Sequence, residues 1–252
     1  MKSRFLILLL FALHWLPLGA QEVEVRLEPF PPLVNEDGSG LAAELLAELE
    51  QASGLKFNIR IMPYSRAKHE VRMGAADMLG PVPLGKETDE FYGWARELDW
   101  HFDTRSDLYA LEPENLDPDN LEALIIGVPR GNGEFFSELT GVPVDQFRES
   151  SLTNLARMLA TGRVDALLFE RASTFDTLSR LGIEGVHYRN LFSIPAGFAV
   201  HGENGRELAE ELDVMLGEID SLSVTSAYQR FLELPDEGVV SLSSDERLRI
   251  PQ

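Results

Sequence analysis

Val23, Val25 and Leu27 alternate with Glu24 and Arg26. That period of two predicts a strand with one buried face. Pro29, Pro31 and Pro32 end it, and the polar run Asn35–Gly40 reads as a turn. Leu41, Leu45, Leu49 and Ala52 then recur at helical spacing, and Gly54 closes that helix. Leu55, Phe57, Ile59 and Ile61 alternate as a second strand. Pro63 stops it, Ser65 is placed to cap a helix with Ala67, Val71 and Met73 on its face, and Ala76–Leu79 begins a third strand after Gly74.

Short connections between alternating strands and helices predict a mainly parallel sheet covered on both faces. Leu98, Trp100 and Phe102, and then Leu108–Leu111, read as two strand segments near a crossing between units, followed by an acidic, Pro-containing connection over 112–119. A second unit repeats the logic. Leu124–Val128 is a strand buried on both faces, Arg130–Gly133 is a turn into a helix near Glu134–Leu139, and Phe147 lies in a short strand. Leu152, Leu155 and Leu159 mark a helix capped by Ser150–Ser151. Ala166–Phe169 reads as a strand, Ala172–Leu181 as a helix and Val186–Leu191 as a strand. Phe198–Val200 can return the chain to the first unit. Two helices follow, one carrying Leu208, Leu212, Met215 and Ile219 and one near Val224–Leu232, and the polar tail from Pro235 is expected to be loosely held.

The first twenty residues carry Lys2 and Arg4, the apolar run Phe5–Leu13, and small residues ending at Ala20. They read as a secretory signal, residues 1–20, cleaved after Ala20. The run is short for a span that needs about 20 apolar residues, so a chain that is not membrane-embedded after cleavage is expected, in the periplasm. The 252 residues contain no cysteine, which excludes disulfides, thiolate metal sites and cysteine nucleophiles. A formal charge of −20, from 42 acids against 22 bases, argues against a nucleic-acid partner. His69, His101, His187 and His201 are scattered, and no Gly-x-Ser-x-Gly elbow or phosphate loop is present. No catalytic residue, metal or cofactor is therefore expected.

Several short motifs occur in an order that covers nearly the whole mature chain. They are Phe30-Pro31-Pro32, Asp37-Gly38-Ser39-Gly40 before a helix with Glu44-Leu45-Leu46, Met62-Pro63-Tyr64-Ser65-Arg66-Ala67, Gly74-Ala75-Ala76-Asp77, Ile126-Gly127-Val128-Pro129-Arg130-Gly131, Met158-Leu159 and Gly162-Arg163-Val164-Asp165-Ala166. In this the chain resembles the family 3 solute-binding proteins, the periplasmic receptors of polar amino-acid ABC importers. The resemblance implies the α/β, bilobed periplasmic-binding-protein fold (type II), two α/β lobes joined by two hinge strands. Lobe one would comprise residues 21–106 and 194–252, and lobe two residues 107–193. It implies a monomer that captures a small polar or zwitterionic, amino-acid-like solute by hinge closure and hands it to ABC importer membrane subunits. Two rivals stand beside it: a dehydratase-like enzyme on the same scaffold, and a ligand-sensing accessory subunit for a membrane signalling partner.

A cleft receptor for a carboxylate needs fixed donors. Arg130, Gly131 and Asn132 lie in a turn between a strand and a helix, where such donors converge; an ordinary turn is the alternative. Arg66 and Tyr64 start a helix after a strand, and either reach the cleft or lie at the surface. Phe30, Tyr92 and Trp94 are candidate cleft walls. Amino-acid binders of the family carry an arginine in a Thr-x-x-Arg setting after the third strand. Here the segment is Leu84-Gly85-Lys86-Glu87-Thr88-Asp89-Glu90-Phe91, with Lys86 as the nearest cation, a point charge in place of a bidentate fork. Glu170 falls where the family often has an aspartate that pairs with an ammonium group, and its alternative is a helix N-terminal acid.

Overall fold

The computed structural model describes residues 21–202, 205–219 and 222–240. The expected signal, residues 1–20, lies outside them.

The first sheet is built from β1 (Glu22–Leu27), β2 (Lys56–Ile61), β3 (Met78–Pro83), β4 (Ala95–Phe102) and β10 (Ala196–His201), in the order β2-β1-β3-β10-β4. The first three strands are parallel, and β10 runs antiparallel to both neighbours. Helices α1 (Leu41–Ser53) and α2 (Tyr64–Arg72) make the crossovers, and a short α3 (Asp89–Tyr92) is capped by the Thr88 side chain. Helix α1 ends at Gly54 in the left-handed conformation as expected and buries Leu45 and Leu49 of the expected face, with Ala42 and Leu46; Leu41 is half-buried and Ala52, near its end, is exposed.

Two expectations fail locally. Pro63, not Ser65, is the N-cap of α2, and no side chain caps it. Proline's fixed φ suits the entry to a helix and leaves Ser65 inside the first turn. Met73 is 68% exposed because the helix has ended at Arg72. The polar face of β1 is also covered: Arg26 is buried, its Nε 2.7 Å from Glu70 on α2 and Nη2 2.9 Å from Glu24. A period of two cannot reveal an ion pair that lets arginine enter a sheet face.

The second sheet runs β11-β9-β5-β8-β6-β7, from β5 (Arg105–Ala110), β6 (Ile126–Pro129), β7 (Phe147–Ser150), β8 (Ala166–Glu170), β9 (Val186–Ser193) and β11 (Glu237–Val240). Helices α4 (Gly133–Thr140), α5 (Leu152–Ala160) and α6 (Arg171–Leu181) belong to this unit. The chain passes between lobes at Asp103–Thr104 and again at Ile194–Pro195, and the Ile194 N–H donates to Thr104 O, tying the two hinge segments together. Helix α7 (Arg206–Glu218) packs back on the first lobe against α1, β4 and β10, and α8 (Leu222–Leu232) lies against α1 and β4 of the first lobe and α6 of the second.

The chain then crosses a third time. Strand β11 pairs antiparallel with β9 at the edge of the second sheet. Assigning all of 194–252 to lobe one, and leaving everything from Pro235 loose, is corrected here for residues 237–240; residues 241–252 lie outside the described residues. The physical reason is the first residue of α6. Arg171 is fully buried and forks onto Asp107 of β5, Nε at 2.5 Å and Nη2 at 3.0 Å. Its remaining Nη1 donates to the carbonyls of Phe231, Leu234 and Pro235 at 3.1–3.2 Å. Those groups close α8, where backbone carbonyls lack helical partners and the dipole favours a cation. Arg105 adds a 2.5 Å bond to Asp236, and the Asn190 N–H donates to Asp236 O.

Breaking a buried pair leaves an uncompensated charge, at about 3–5 kcal/mol. Arg171→Met is therefore expected to lower urea-unfolding stability by that amount. Arg189→Ala, which removes a half-exposed pair with Glu237, should cost under about 1 kcal/mol. Equal losses would show that Arg171 is an ordinary surface-strength contact.

Candidate functional site

Strands β1 and β3 of one lobe and β6 and β8 of the other end facing each other, with the start of antiparallel β5 beside them, and the ends of parallel strands are where α/β folds place ligands. Between them lies a cavity of about 50 Å3. The first lobe contributes Glu28, Phe30, Tyr64 and Pro81–Pro83. The second contributes Ser106, Asn132, Phe135, Phe136, Phe169 and Glu170, and the hinges contribute Thr104 and Ile194–Ala196.

The lobes are closed on each other. Asn132 Nδ2 donates to Glu28 Oε1 at 2.7 Å, with both residues buried. Phe30 meets Phe169 edge to face, centroids 5.4 Å apart. Gly131, at φ +92°, lies so near the start of α2 that a Cβ would come 2.7 Å from Ser65 N and Oγ. Its N–H and that of Gly133 donate to the Glu149 carboxylate, so these two donors of the turn already hold an anion of the protein itself.

Of the ten residues singled out from the sequence, Phe30, Tyr64, Asn132 and Glu170 line the cavity, and Gly131 abuts its wall. Arg66 is exposed and pairs with Glu70, one turn along α2. Lys86 and Arg130 are exposed and do not line the cavity. Trp94 packs on Phe91 and lines a separate groove of about 240 Å3 at the lip, with Lys68, His69, Arg72 and Glu134. Tyr92 is exposed and donates to Glu97. The expected cationic cleft is thus replaced by one with two carboxyls and no arginine or lysine in its lining. Sequence reasoning passed over Glu28, one residue beyond the end of β1, and the hinge residue Thr104. A polar residue just past a buried strand was the available signal for Glu28.

The two carboxyls differ in how they are held. Glu170 is the N-cap of α6, accepting from Ala172 N, Ser173 N and Thr104 Oγ1 at 2.7–2.8 Å. The helix N-terminal role weighed for it is therefore real. Burial nonetheless pushes it up to about 7, against those hydrogen bonds. The Glu28 carboxyl accepts a hydrogen bond from Asn132, and burial pushes it up to about 8, opposed by Asn132 and the charge of Lys68. Tyr64 turns its ring to the cavity and donates its hydroxyl to Glu87 at 2.6 Å, while Lys68 also binds Glu87, at 3.2 Å, above the Tyr64 ring.

No family model and no curated protein sequence matches the chain. Solved structures do. A histidine kinase sensor domain with similarity to periplasmic binding proteins aligns with a TM-score of 0.69 at 14% identity, covering 86% of this chain and 99% of that one. The fold is that of the periplasmic binding proteins. An ancestral arginine-binding protein bound to arginine aligns with a TM-score of 0.67 at 20% identity, covering 84% and 99% of the two chains. The substrate-binding protein of an amino-acid ABC transporter gives 0.63 at 16% identity, covering 84% and 97%. The expected fold is therefore the observed one. Among the described residues no helix of this periplasmic-binding-protein fold is long and apolar enough to cross a membrane, and no cluster of three or more His, Asp or Glu could hold a metal.

Two outcomes follow from this geometry. Gly131→Ala should hold the lobes apart and enlarge the radius of gyration in small-angle scattering. Gly141→Ala, at φ +77° with nothing near its Cβ position, carries the same backbone strain and should leave the radius unchanged. For Glu28, the folded chain retains a proton that the unfolded chain releases above the ordinary carboxyl range. Its contribution to stability is therefore full at low pH and lost as pH rises to about 8. Glu28→Gln, which keeps the acceptor for Asn132, should gain stability relative to wild type between pH 5 and pH 8 in urea titrations; a pH-independent difference would place Glu28 in the ordinary range.

Proposed function

We propose that this protein is an extracytoplasmic receptor that traps a small solute between its lobes without covalent chemistry, and that its closed form is read by membrane subunits of an ABC importer. The observation that carries this reading is the cavity itself, walled by both lobes and both hinges and fastened across the cleft by Asn132 and Glu28. A solute filling that space would touch both lobes at once, so its binding energy would favour closure over opening. The solved structures of similar fold that bind amino acids support the receptor part of the reading.

A second reading has its own support. A sensor domain of a histidine kinase shares this fold over 99% of its length, and here the C-terminal segment is stitched to lobe two by Arg171 and Arg105. Lobe closure could therefore pull on whatever contacts that segment, which suits an accessory sensor as well as an importer receptor.

The test is a thermal-shift screen of the exported chain, refolded and dialysed, against amino acids, amines, carboxylates and short peptides. A solute at about 100 times its Kd should add about 2.7 kcal/mol, a rise of several degrees. A hit should also shrink the radius of gyration of Gly131→Ala towards that of wild type. A cooperative melt that no compound moves would overturn the receptor reading. Pull-downs with and without the hit would then separate importer subunits from a signalling partner.

A further inference from the structure

The cavity also specifies charge and size. Resting on the receptor reading above, we propose that its solute is a small organic monocation, an amine or methylated ammonium of about four or five non-hydrogen atoms, with Glu28 as the counter-charge. The size follows from the cavity: about 50 Å3 is room for about three to five water-sized groups at about 10–15 Å3 each.

The charge follows from the donors and acceptors. A carboxylate ligand would need a cation or several free donors, and the lining holds neither arginine nor lysine, its uncommitted side-chain donors being the Ser106 hydroxyl and the second Asn132 N–H. The Gly131 and Gly133 N–H groups are taken by Glu149, the Thr104 hydroxyl by Glu170, and the Tyr64 hydroxyl by Glu87. A zwitterion would bury its carboxylate beside two protein carboxyls. A cation meets the opposite situation. Glu170 already accepts from three donors, which leaves about one of its roughly four acceptor sites open, so it acts mainly from a fixed position. Glu28 accepts a single bond and keeps acceptor capacity for an N–H donor or for direct contact with an alkylammonium. Phe30, Phe135 and Phe169 supply apolar and π faces to the rest of the solute, and aromatic faces attract alkylammonium groups most when water is excluded.

Binding is then linked to protons. The groups facing Glu28 are Asn132 and Glu170 from lobe two and, from α2 and the loop behind it, Tyr64, Lys68 and Glu87. Lys68 is held by Glu87 and so offsets the cavity's negative charge only in part. Near neutral pH a cation seated against Glu28 displaces its proton to solvent.

The experiment is calorimetry and thermal shift on the exported chain with matched probes: trimethylammonium and tetramethylammonium as cations, tert-butanol as the neutral isostere, acetate as the anion and glycine as the zwitterion. The expected result is a rise in melting temperature with the ammonium probes alone, heats that change with buffer ionisation enthalpy at pH 7 as a proton is released, and at least tenfold weaker binding to Glu28→Gln. Because that variant keeps the hydrogen bond to Asn132, a melting curve as cooperative as wild type separates lost affinity from lost fold. Binding of glycine or acetate in place of the ammonium probes would overturn the proposed ligand class while leaving the receptor reading standing. Silence from every probe here and every compound of the broad panel would overturn both.

Discussion

One buried guanidinium holds the architecture together. Arg171 starts a helix of the second lobe, neutralises Asp107 on an inner strand of that lobe's sheet, and collects three carbonyls from the end of the last helix and the segment after it. An arginine at full burial is tolerated only when its charge and its fork of donors are matched. Here the match draws on segments sixty or more residues apart in the chain. The donors of Asn190 and Tyr109 complete the ring around Asp107, and the Tyr188 face lies 5.1 Å from the guanidinium. Because the partner carbonyls belong to the far end of the chain, satisfying Arg171 also brings the C-terminal segment across the hinge and lays β11 on the second sheet.

That third crossing bears on motion. Two hinge segments alone would let the lobes swing about a line; a further strand anchored in lobe two and a helix anchored in lobe one narrow the path. Closure then brings together groups that are costly to bury unless each is partnered. Glu170 is satisfied by a helix N-terminus and a hinge hydroxyl, and Glu28 by an amide from the opposite lobe. The cleft is thus lined by two carboxyls with no arginine or lysine among them, and the basic residues of the neighbouring helix α2 are engaged with acids.

Much of the fold was legible in the residues. The alternation in Val23–Leu27 and Phe57–Ile61, the helical spacing of Leu41–Leu49 and Leu152–Leu159, and the glycines that end helices each encode local structure, and their order gave two α/β units with helices left over. The site was legible in part. Phe30, Tyr64, Asn132 and Glu170 were found because they stand at strand ends and helix starts, which is where such folds converge. Arg66 and Arg130 were singled out for the same reason and turn away, because a side chain's direction depends on which of its neighbours need a partner. Glu70 takes Arg66, and the turn after β6 gives its N–H groups to Glu149.

The sequence by itself determined the elements, their order, the absence of thiol chemistry and the strongly acidic surface, since these depend on periodicity and composition over a few residues. Only the tertiary structure decided that β11 returns to the second lobe, that Arg26 and Arg171 are buried, and that Glu28 and Glu170 meet across one cleft. Each of those is a pairing between groups distant in sequence. Whether a charged residue is buried, solvated or aimed at a ligand is set by the partner that folding brings to it, and no local pattern carries that information.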